Sequence, residues 1–190
     1  MRTTWPERWP SSKRNLPKNV AIIGAGPLGR WLALTAARAG FRVLLEDVMP
    51  VNLHHARHAL RAELGAETVP NVTFASTIED AVREADLVID CVPDELESKL
   101  EIFWLLDRMA PPRTVLATPT TRLSIADLAA CTYRADKCIA IAEEASALAS
   151  DAGGTVLLRT TARTAPETAA LLKEFWERLG FKTIFEAERS

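Results

Sequence analysis

The feature that most constrains the fold is a glycine-rich turn between an apolar run and a helix-like segment. Residues 20–23 are typical of a buried strand, and the spacing G-x-G-x-x-G follows at Gly24, Gly26 and Gly29. Gly24 permits a tight turn, Gly26 leaves room beside the backbone, and Gly29 allows close packing of helix on strand. The pattern of residues 31–39 predicts that helix, whose N-terminus presents N–H groups and a positive dipole end suited to phosphate.

A second strand-like run follows at residues 41–47 and closes on Glu46 and Asp47. An acid about 20 residues after such a turn accepts hydrogen bonds from the ribose of a dinucleotide. A carboxylate there repels the 2′-phosphate of NADP, and Glu46 adds a second negative charge. The sequence therefore predicts an NAD site, against the alternative of a turn that binds nothing. The predicted cofactor residues are Gly24, Ala25, Gly26, Pro27, Leu28, Gly29 and Asp47.

Composition narrows the classes of function. The 190 residues suffice for one domain with a substantial core, and a net charge of −2 gives no reason to expect nucleic acid or an anionic membrane as partner. No apolar run approaches the ~20 residues of a membrane span, and the N-terminal residues lack a signal core. We therefore expect a cytoplasmic protein.

A metal site is not expected. The cysteines Cys91, Cys131 and Cys138 have no metal-like spacing and are interpreted as reduced thiols. His54 and His58 lie four residues apart, but no third ligand is evident, so a solvated helix face is the better interpretation.

Residues 1–18 carry Trp5 and Trp9 among prolines and charges and are predicted to be an N-terminal arm. The tryptophans dock either on the chain's own domain or on a neighbouring subunit; a disordered leader is the alternative. Because apolar cleft surface is expected to be left open as well, we predict an oligomer.

Strand and helix patterns alternate along the remaining residues. Capping patterns at Ser76–Glu79, at Asp94, at Ser124 with Asp127 and at Thr164–Glu167 mark predicted helix starts. The alternation predicts an α/β fold of Rossmann type, a doubly wound and mainly parallel sheet with helices on both faces. A single domain is expected over residues 19–188. The other predicted strands cover residues 72–75, 86–92, 114–118, 137–142, 155–159 and 182–186, and the other helices residues 49–64, 78–84, 96–109 and 166–179, with a short one after Ser124.

The series of motifs along the chain resembles the NAD-binding half of the 3-hydroxyacyl-CoA dehydrogenases. The resemblance implies the sheet order 3-2-1-4-5-6 with extra strands, NAD as cofactor and a place in fatty acid metabolism. It also adds Val92, Pro93, Lys99 and Thr118 to the cofactor-binding residues. The motifs are the turn at residues 23–29, ADLVIDCVPD at 85–94, Lys99 with Phe103 and Leu106-Asp107, ATPTTRLSI at 117–125, and residues 164–180.

The chain departs from this family where the chemistry is expected. The family's Asn-Thr-Ser-Ser loop is Pro119-Thr120-Thr121-Arg122 here, so Thr121 keeps a hydroxyl while the amide is lost. The catalytic histidine of the family's Gly-x-His-Phe-x-Asn-Pro segment corresponds to Ala142, and the glutamate that orients it has no counterpart in residues 155–159. The segment before residue 72 is shorter than the family's coenzyme A hairpin. We also expect the family's all-helical second domain to be absent.

Two classes of function follow from these departures. The first is a non-catalytic NAD-binding protein that keeps the cofactor site. The second is an NAD-dependent oxidoreductase acting on a small hydroxy acid or hydroxyacyl substrate, alone or with a separate helical subunit. Its candidate catalytic residues are Thr121, Glu143 and Glu144, since a carboxylate with a raised pKa can replace the histidine base. Arg122 is a candidate clamp for an anionic or acyl substrate.

Overall fold

The computed structural model describes residues 16–68, 71–143 and 154–188, in which eight strands form one sheet. The order across the sheet is β3-β2-β1-β4-β5-β6-β7-β8, and all neighbours pair in parallel except the antiparallel β6 and β7. The order 3-2-1-4-5-6 with extra strands is therefore confirmed. The strands are β1 Asn19–Ile23, β2 Arg42–Glu46, β3 Val72–Ala75, β4 Leu87–Asp90, β5 Val115–Pro119, β6 Cys138–Ile141, β7 Thr155–Thr160 and β8 Lys182–Ala187.

Helices cover both faces of the sheet. Leu32, Ala56 and Leu172 of α1, α2 and α6 belong to one buried cluster, whereas Ala81 and Phe103 of α3 and α4 belong to the other, together with the apolar side of α5. This arrangement confirms the doubly wound α/β fold of Rossmann type. The helices are α1 Pro27–Arg38, α2 Pro50–Thr68, α3 Ile78–Val82, α4 Leu96–Met109, α5 Ile125–Ala130 and α6 Pro166–Arg178.

The apolar strands pack against the helices on both faces of the sheet. Val20 and Ile22 of β1 pack in one buried cluster, and Ala21 and Ile23 pack in the other. Successive side chains of a strand point to opposite faces, so a strand covered on both sides needs an unbroken apolar run. This requirement explains why the central strands could be predicted from the sequence.

Helix starts follow the predicted residues less closely. The α3 N-cap is Thr77, whose hydroxyl accepts a hydrogen bond from Asp80 N–H at 3.1 Å, so the prediction of Ser76 was wrong by one residue. The α5 N-cap is confirmed, because the Ser124 hydroxyl accepts from Asp127 N–H at 3.1 Å.

Two other predicted caps are wrong because their side chains have other partners. The α4 N-cap is Glu95 rather than Asp94, and Asp94 instead lies beside Arg122. Thr164 precedes the α6 N-cap, and its hydroxyl accepts a hydrogen bond from Thr161 N–H at 2.9 Å. Pro166 in the first turn of α6 lowers the need for a side-chain cap, because proline has no N–H to satisfy.

Within the described residues, no helix is both long and apolar enough to cross a membrane. Most of the predicted N-terminal arm, with Trp5 and Trp9, lies outside the described residues.

Candidate cofactor cleft

A cleft of about 960 Å³ opens at the carboxyl edge of the sheet, where the chain order reverses between β1 and β4. Ligands of open α/β sheets bind at such a reversal. The polar lining comes mainly from the ends of β2 and β3 and from the starts of the helices that follow them. The lining residues include Gly24, Gly26, Glu46, Asp47, Asn52, Ile78, Glu79, Cys91, Val92, Pro93, Glu101, Ile102 and Leu105.

The glycines of the turn perform the predicted steric roles. Gly24 has a φ of +106°, and a Cβ there would lie 3.0 Å from the Cys91 carbonyl oxygen. A Cβ on Gly29 would lie 1.8 Å from the Gly24 carbonyl oxygen, so only glycine permits this approach of helix to turn. Gly26 differs, because a Cβ there would have no atom within 4 Å and would project into open space. That space is what a pyrophosphate beside the backbone requires.

The α1 helix begins at the cleft without a side-chain cap. Gly26 is its N-cap in extended conformation, and Pro27 occupies the first helical turn. Gly24 and Gly26 line the cleft, whereas Ala25 and Gly29 are buried, Pro27 is exposed and the half-buried Leu28 packs on the core. The backbone of the turn, more than its side chains, therefore faces the cleft.

The Asp47 carboxylate forms hydrogen bonds both to the glycine turn and to the start of the α2 segment. Its Oδ2 accepts a hydrogen bond from Ala25 N–H at 2.7 Å, and its Oδ1 accepts from Met49 N–H at 2.8 Å. The Asn52 amide nitrogen donates to both carboxylate oxygens, at 3.1 and 3.2 Å. These bonds orient the predicted ribose acid against the glycine turn. No sequence motif pointed to Asn52, whose role depends on how the first turn of α2 folds back.

Glu46 also lines the cleft, but its side chain lies deeper. The residue is 4% exposed, and burial, with repulsion by Asp47 as a second cause, raises the pKa of its carboxyl to about 7. Its position beside Asp47 in the sequence predicts a second negative charge at Glu46. That assignment needs correction, because a carboxyl with this pKa is partly protonated at neutral pH.

Lys99 and Thr118, predicted to bind cofactor, lie beneath the cleft and are fully buried. The Lys99 ammonium donates to Asp90 Oδ2 at 3.1 Å, and the Thr118 hydroxyl donates to the same oxygen at 2.7 Å. Burial raises the pKa of Asp90, while Lys99 is the strongest influence in the opposite direction.

The prediction that Lys99 and Thr118 bind the cofactor stays a prediction, and the hydrogen bonds to Asp90 also give both residues an indirect role in the cleft. Asp90 Oδ1 accepts a hydrogen bond from Val92 N–H at 3.0 Å. Val92 and the adjacent Pro93 line the cleft, as the resemblance implied. The buried group of Asp90, Lys99 and Thr118 thus fixes the loop that carries them.

Two candidate catalytic residues share one edge of the sheet. Thr121 and Glu143 each follow by two residues a register pair of neighbouring strands, Pro119 on β5 and Ile141 on β6. The Glu143 carboxylate accepts a hydrogen bond from Leu157 N–H at 3.0 Å. Glu144, the third candidate, lies outside the described residues.

Arg122, the candidate substrate clamp, already has a hydrogen-bond partner, and the two histidines considered as metal ligands are not among the residues that line the cleft. Arg122 donates to the Asp94 carbonyl oxygen at 2.9 Å, although its side chain is 74% exposed. His54 and His58 lie on the exposed side of α2 with ring centroids 4.7 Å apart. In the described part of the chain, no three histidine, cysteine or acidic side chains form a group able to hold a metal ion.

Comparison with known proteins identifies a family. Residues 19–188 match the family model described as 3-hydroxyacyl-CoA dehydrogenase, NAD binding domain. The chain is 35% identical over 135 residues to a probable 3-hydroxybutyryl-CoA dehydrogenase of Bacillus subtilis, an alignment that covers 64% of this chain and 47% of that protein. It is 34% identical over 123 residues to the 5-formyl-3-hydroxy-2-methylpyridine 4-carboxylate 5-dehydrogenase of Mesorhizobium japonicum, with 60% and 40% covered. The chain spans about half the length of the curated relatives it matches.

Solved structures share the fold. The 3-hydroxybutyryl-CoA dehydrogenase of Escherichia coli K12 superposes with a TM-score of 0.78 at 28% identity, covering 90% of this chain and 38% of that chain. The (S)-3-hydroxybutyryl-CoA dehydrogenase of Ralstonia eutropha gives a TM-score of 0.82 at 22% identity, with 90% and 64% covered, and supports the fold alone. The match to an NAD-binding domain confirms NAD as the cofactor predicted from the glycine turn and Asp47.

Proposed function

Because the chain belongs to the 3-hydroxyacyl-CoA dehydrogenase family through its NAD-binding domain, we propose that it binds NAD in this cleft without dehydrogenase turnover of its own. The observation that carries the proposal is the hydrogen bond of 2.7 Å between Ala25 N–H and Asp47. It holds the ribose acid against the phosphate turn, so the two subsites of one dinucleotide are adjacent.

The residues of the cleft divide between the parts of NAD. The space beside Gly26 and the N-terminus of α1 suit the pyrophosphate. Asp47 accepts the hydrogen bonds of the adenosine ribose. The apolar side chains of Ile78, Ile102 and Leu105 form the part of the cleft that suits adenine.

Charge in the cleft favours NAD over NADP. Among the described residues that line it there is no lysine, arginine or histidine, whereas four carry carboxyl groups. Bringing a 2′-phosphate beside a carboxylate costs free energy through repulsion of like charges. These four are Glu46, Asp47, Glu79 and Glu101.

Calorimetric titration with each cofactor tests this preference. We expect NAD to bind about tenfold more tightly than NADP or better, equivalent to roughly 1.4 kcal/mol. NADP binding equal to or tighter than NAD binding would contradict it.

We propose that the chain lacks dehydrogenase turnover because no general base lies at Ala142, the position of the family's catalytic histidine. Its backbone N–H donates to the Leu157 carbonyl at 2.8 Å, and its methyl group offers no proton acceptor. All three histidines of the chain lie on α2, next to β2, whereas Ala142 follows β6, four strand positions away. At about 4.8 Å a strand, this separation is roughly 19 Å, too far for proton transfer at one substrate.

The second candidate function is an NAD-dependent oxidoreductase acting on a small hydroxy acid or hydroxyacyl substrate. The nearness of Thr121 and Glu143 along the β5–β6 edge favours it, since a hydroxyl and a carboxylate are the groups that orient and deprotonate an alcohol. The hydrogen bond that Glu143 accepts from Leu157 N–H disfavours this candidate, because it engages a carboxylate oxygen that would otherwise accept the proton of the alcohol. A separate helical subunit remains part of this candidate.

Nicotinamide absorbance with acetoacetyl-CoA and NADH separates the two candidates. We expect no turnover of ordinary enzyme magnitude, since loss of a positioned base typically costs about 10²–10⁴ in rate. Ordinary turnover that Glu143→Gln or Glu144→Gln abolishes would establish the oxidoreductase instead. The exposed Glu97→Gln serves as the matched control.

A further inference from the structure

The Glu46 side chain is largely buried, and its carboxyl oxygens face the cleft without a hydrogen-bond donor among the described residues. Glu46 ends β2 and pairs in register with Ile23 of β1 and Ala75 of β3, so its backbone is held on both sides. The residue is 96% buried and lines the cleft. Across residues 16–68, 71–143 and 154–188, no group donates a hydrogen bond to this carboxyl. The carboxylate is therefore solvated from the cleft, and a ligand that fills the cleft removes this solvation, which is costly unless a proton neutralises the charge.

The titratable groups around this part of the cleft do not neutralise the charge of the Glu46 carboxylate. The end of β2 contributes Asp47, the α3 helix contributes Glu79, the α4 helix contributes Glu101, and the residue after β4 is Cys91. The ends of β1 and β3 contribute only uncharged residues, and Asn52 of α2 is neutral. Among the described residues that line the cleft, no cation opposes protonation of Glu46, and Asp47 favours it by repulsion.

Cofactor binding changes the surroundings of Glu46 in a way that favours the protonated carboxyl. A dinucleotide over Gly26 and Asp47 displaces water from the cleft, which further disfavours the ionised carboxyl. The pyrophosphate also brings negative charge toward the same end of the sheet. Both effects stabilise the protonated carboxylic acid in the complex.

We propose that Glu46 takes up one proton from solvent when NAD binds, so that cofactor affinity rises as the pH falls through neutrality. The inference rests on the proposed NAD site and assigns a role to a residue outside the glycine motif and the ribose acid. The step is COO⁻ plus H⁺ to COOH at Glu46, and no other bond changes.

The sign and size of the effect follow from linkage. The pKa of Glu46 in the free protein is about 7 and is higher in the complex, so between the two values the complex holds the additional proton. The dissociation constant then increases with pH by up to tenfold for each unit by which binding raises the pKa. Below the lower pKa and above the higher one, the Glu46 contribution is constant.

Calorimetric titration of the full chain with NAD between pH 6 and 9, in two buffers of different ionisation enthalpy, measures the proton uptake directly. We expect a buffer-dependent heat that corresponds to uptake and a dissociation constant about three- to tenfold larger at pH 9 than at pH 6. Glu46→Gln mimics the neutral acid and is expected to abolish both effects. The exposed Glu97→Gln on α4 is expected to leave both unchanged.

Asp47→Asn supplies a second variant that does not alter the buried side chain. Removing the Asp47 charge lowers the pKa of Glu46, so the pH midpoint of proton uptake shifts downward although NAD binds more weakly. NAD binding without proton uptake, or uptake that persists in Glu46→Gln, overturns this inference alone. Failure of NAD to bind at any pH overturns the proposed function.

Discussion

The buried ion pair of Asp90 and Lys99 shows how one residue supports the cleft without touching it. Both side chains are almost fully enclosed, with 0% and 1% exposed, and the charges are 3.1 Å apart. Desolvation of each charge is offset only while the other is present. The pair therefore matters for the position of the Val92 loop as well as for stability.

Lys99→Met is expected to lower the free energy of unfolding by about 3 to 5 kcal/mol, because it leaves the Asp90 carboxylate buried and uncompensated. The double variant Asp90→Asn with Lys99→Met is expected to lose less than the sum of the single variants. Urea unfolding at pH 7 measures all three. Additive losses would contradict a coupled pair, and normal NAD binding by a folded Lys99→Met protein would confirm that the ammonium makes no cofactor contact.

Glu46 gives a pH dependence of stability in the absence of cofactor. Its pKa is about 7 in the folded protein against an ordinary value of 4.5, so the folded state binds more protons between these values. The free energy of unfolding therefore falls as the pH rises from 4.5 to 7 and stays lower above 7. Glu46→Gln is expected to be more stable than the parent at pH 8 by about 1 to 2 kcal/mol, with no difference near pH 4.5. Thermal or urea unfolding at the two pH values measures it; an equal difference at both would exclude Glu46 as the titrating group.

At the scale of elements, the first turn of α2 orients the ribose acid at the end of β2. Asn52 donates two of the four hydrogen bonds that the Asp47 carboxylate accepts, and Met49 N–H donates another. The turn from strand to helix thus forms one wall of the cofactor site. A polar residue in a helix of mixed pattern carries no sequence signal for such a role.

Asn52→Ala is expected to weaken NAD binding by about 1 kcal/mol, or roughly fivefold, because Asp47 loses donors that orient it. The matched control is His58→Ala on the exposed side of the same helix. Calorimetry with NAD reports both. A comparable loss in the control would indicate a general effect on α2 rather than orientation of Asp47.

The sequence predicted elements better than contacts. Strands and helices depend on local periodicity, which the sequence shows directly. Examples are the apolar run at residues 20–23 and the 3.6-residue pattern of α4, whose bounds Leu96–Met109 were predicted without error. Motif position assigned Lys99 to the cofactor but carries no information on burial, so the sequence did not predict that Lys99 is enclosed beside Asp90. The charge state of Glu46 likewise depends on its three-dimensional surroundings, which neighbouring letters do not specify.

At the scale of the whole molecule, apolar residues surround the mouth of the cleft. Val48 is 86% exposed, Met49 53% and Met109 39%, and all three line the cleft. Exposed apolar surface of this kind is typical of an interaction site. We propose that a second copy of the chain, or a separate helical subunit, covers this surface.

We expect light scattering at micromolar concentration to give a mass of at least twice the 20.9 kDa of one chain. Met49→Glu, at the cleft mouth, is expected to reduce the mass toward that of one chain, whereas the exposed Tyr133→Glu, outside the described lining of the cleft, is not. A single-chain mass for the parent protein would contradict the oligomer.

The most direct test of the NAD site is the affinity of Gly26→Ala for NAD. A methyl group at residue 26 meets no atom within 4 Å, and its φ of −66° suits alanine, so the variant is expected to fold with unchanged or slightly higher stability. The methyl group nevertheless occupies the space proposed for the pyrophosphate. We predict normal circular dichroism and thermal unfolding together with a dissociation constant for NAD increased by about tenfold or more, equivalent to at least ~1.4 kcal/mol. A folded Gly26→Ala protein that binds NAD as tightly as the parent would contradict the placement of NAD over the glycine turn.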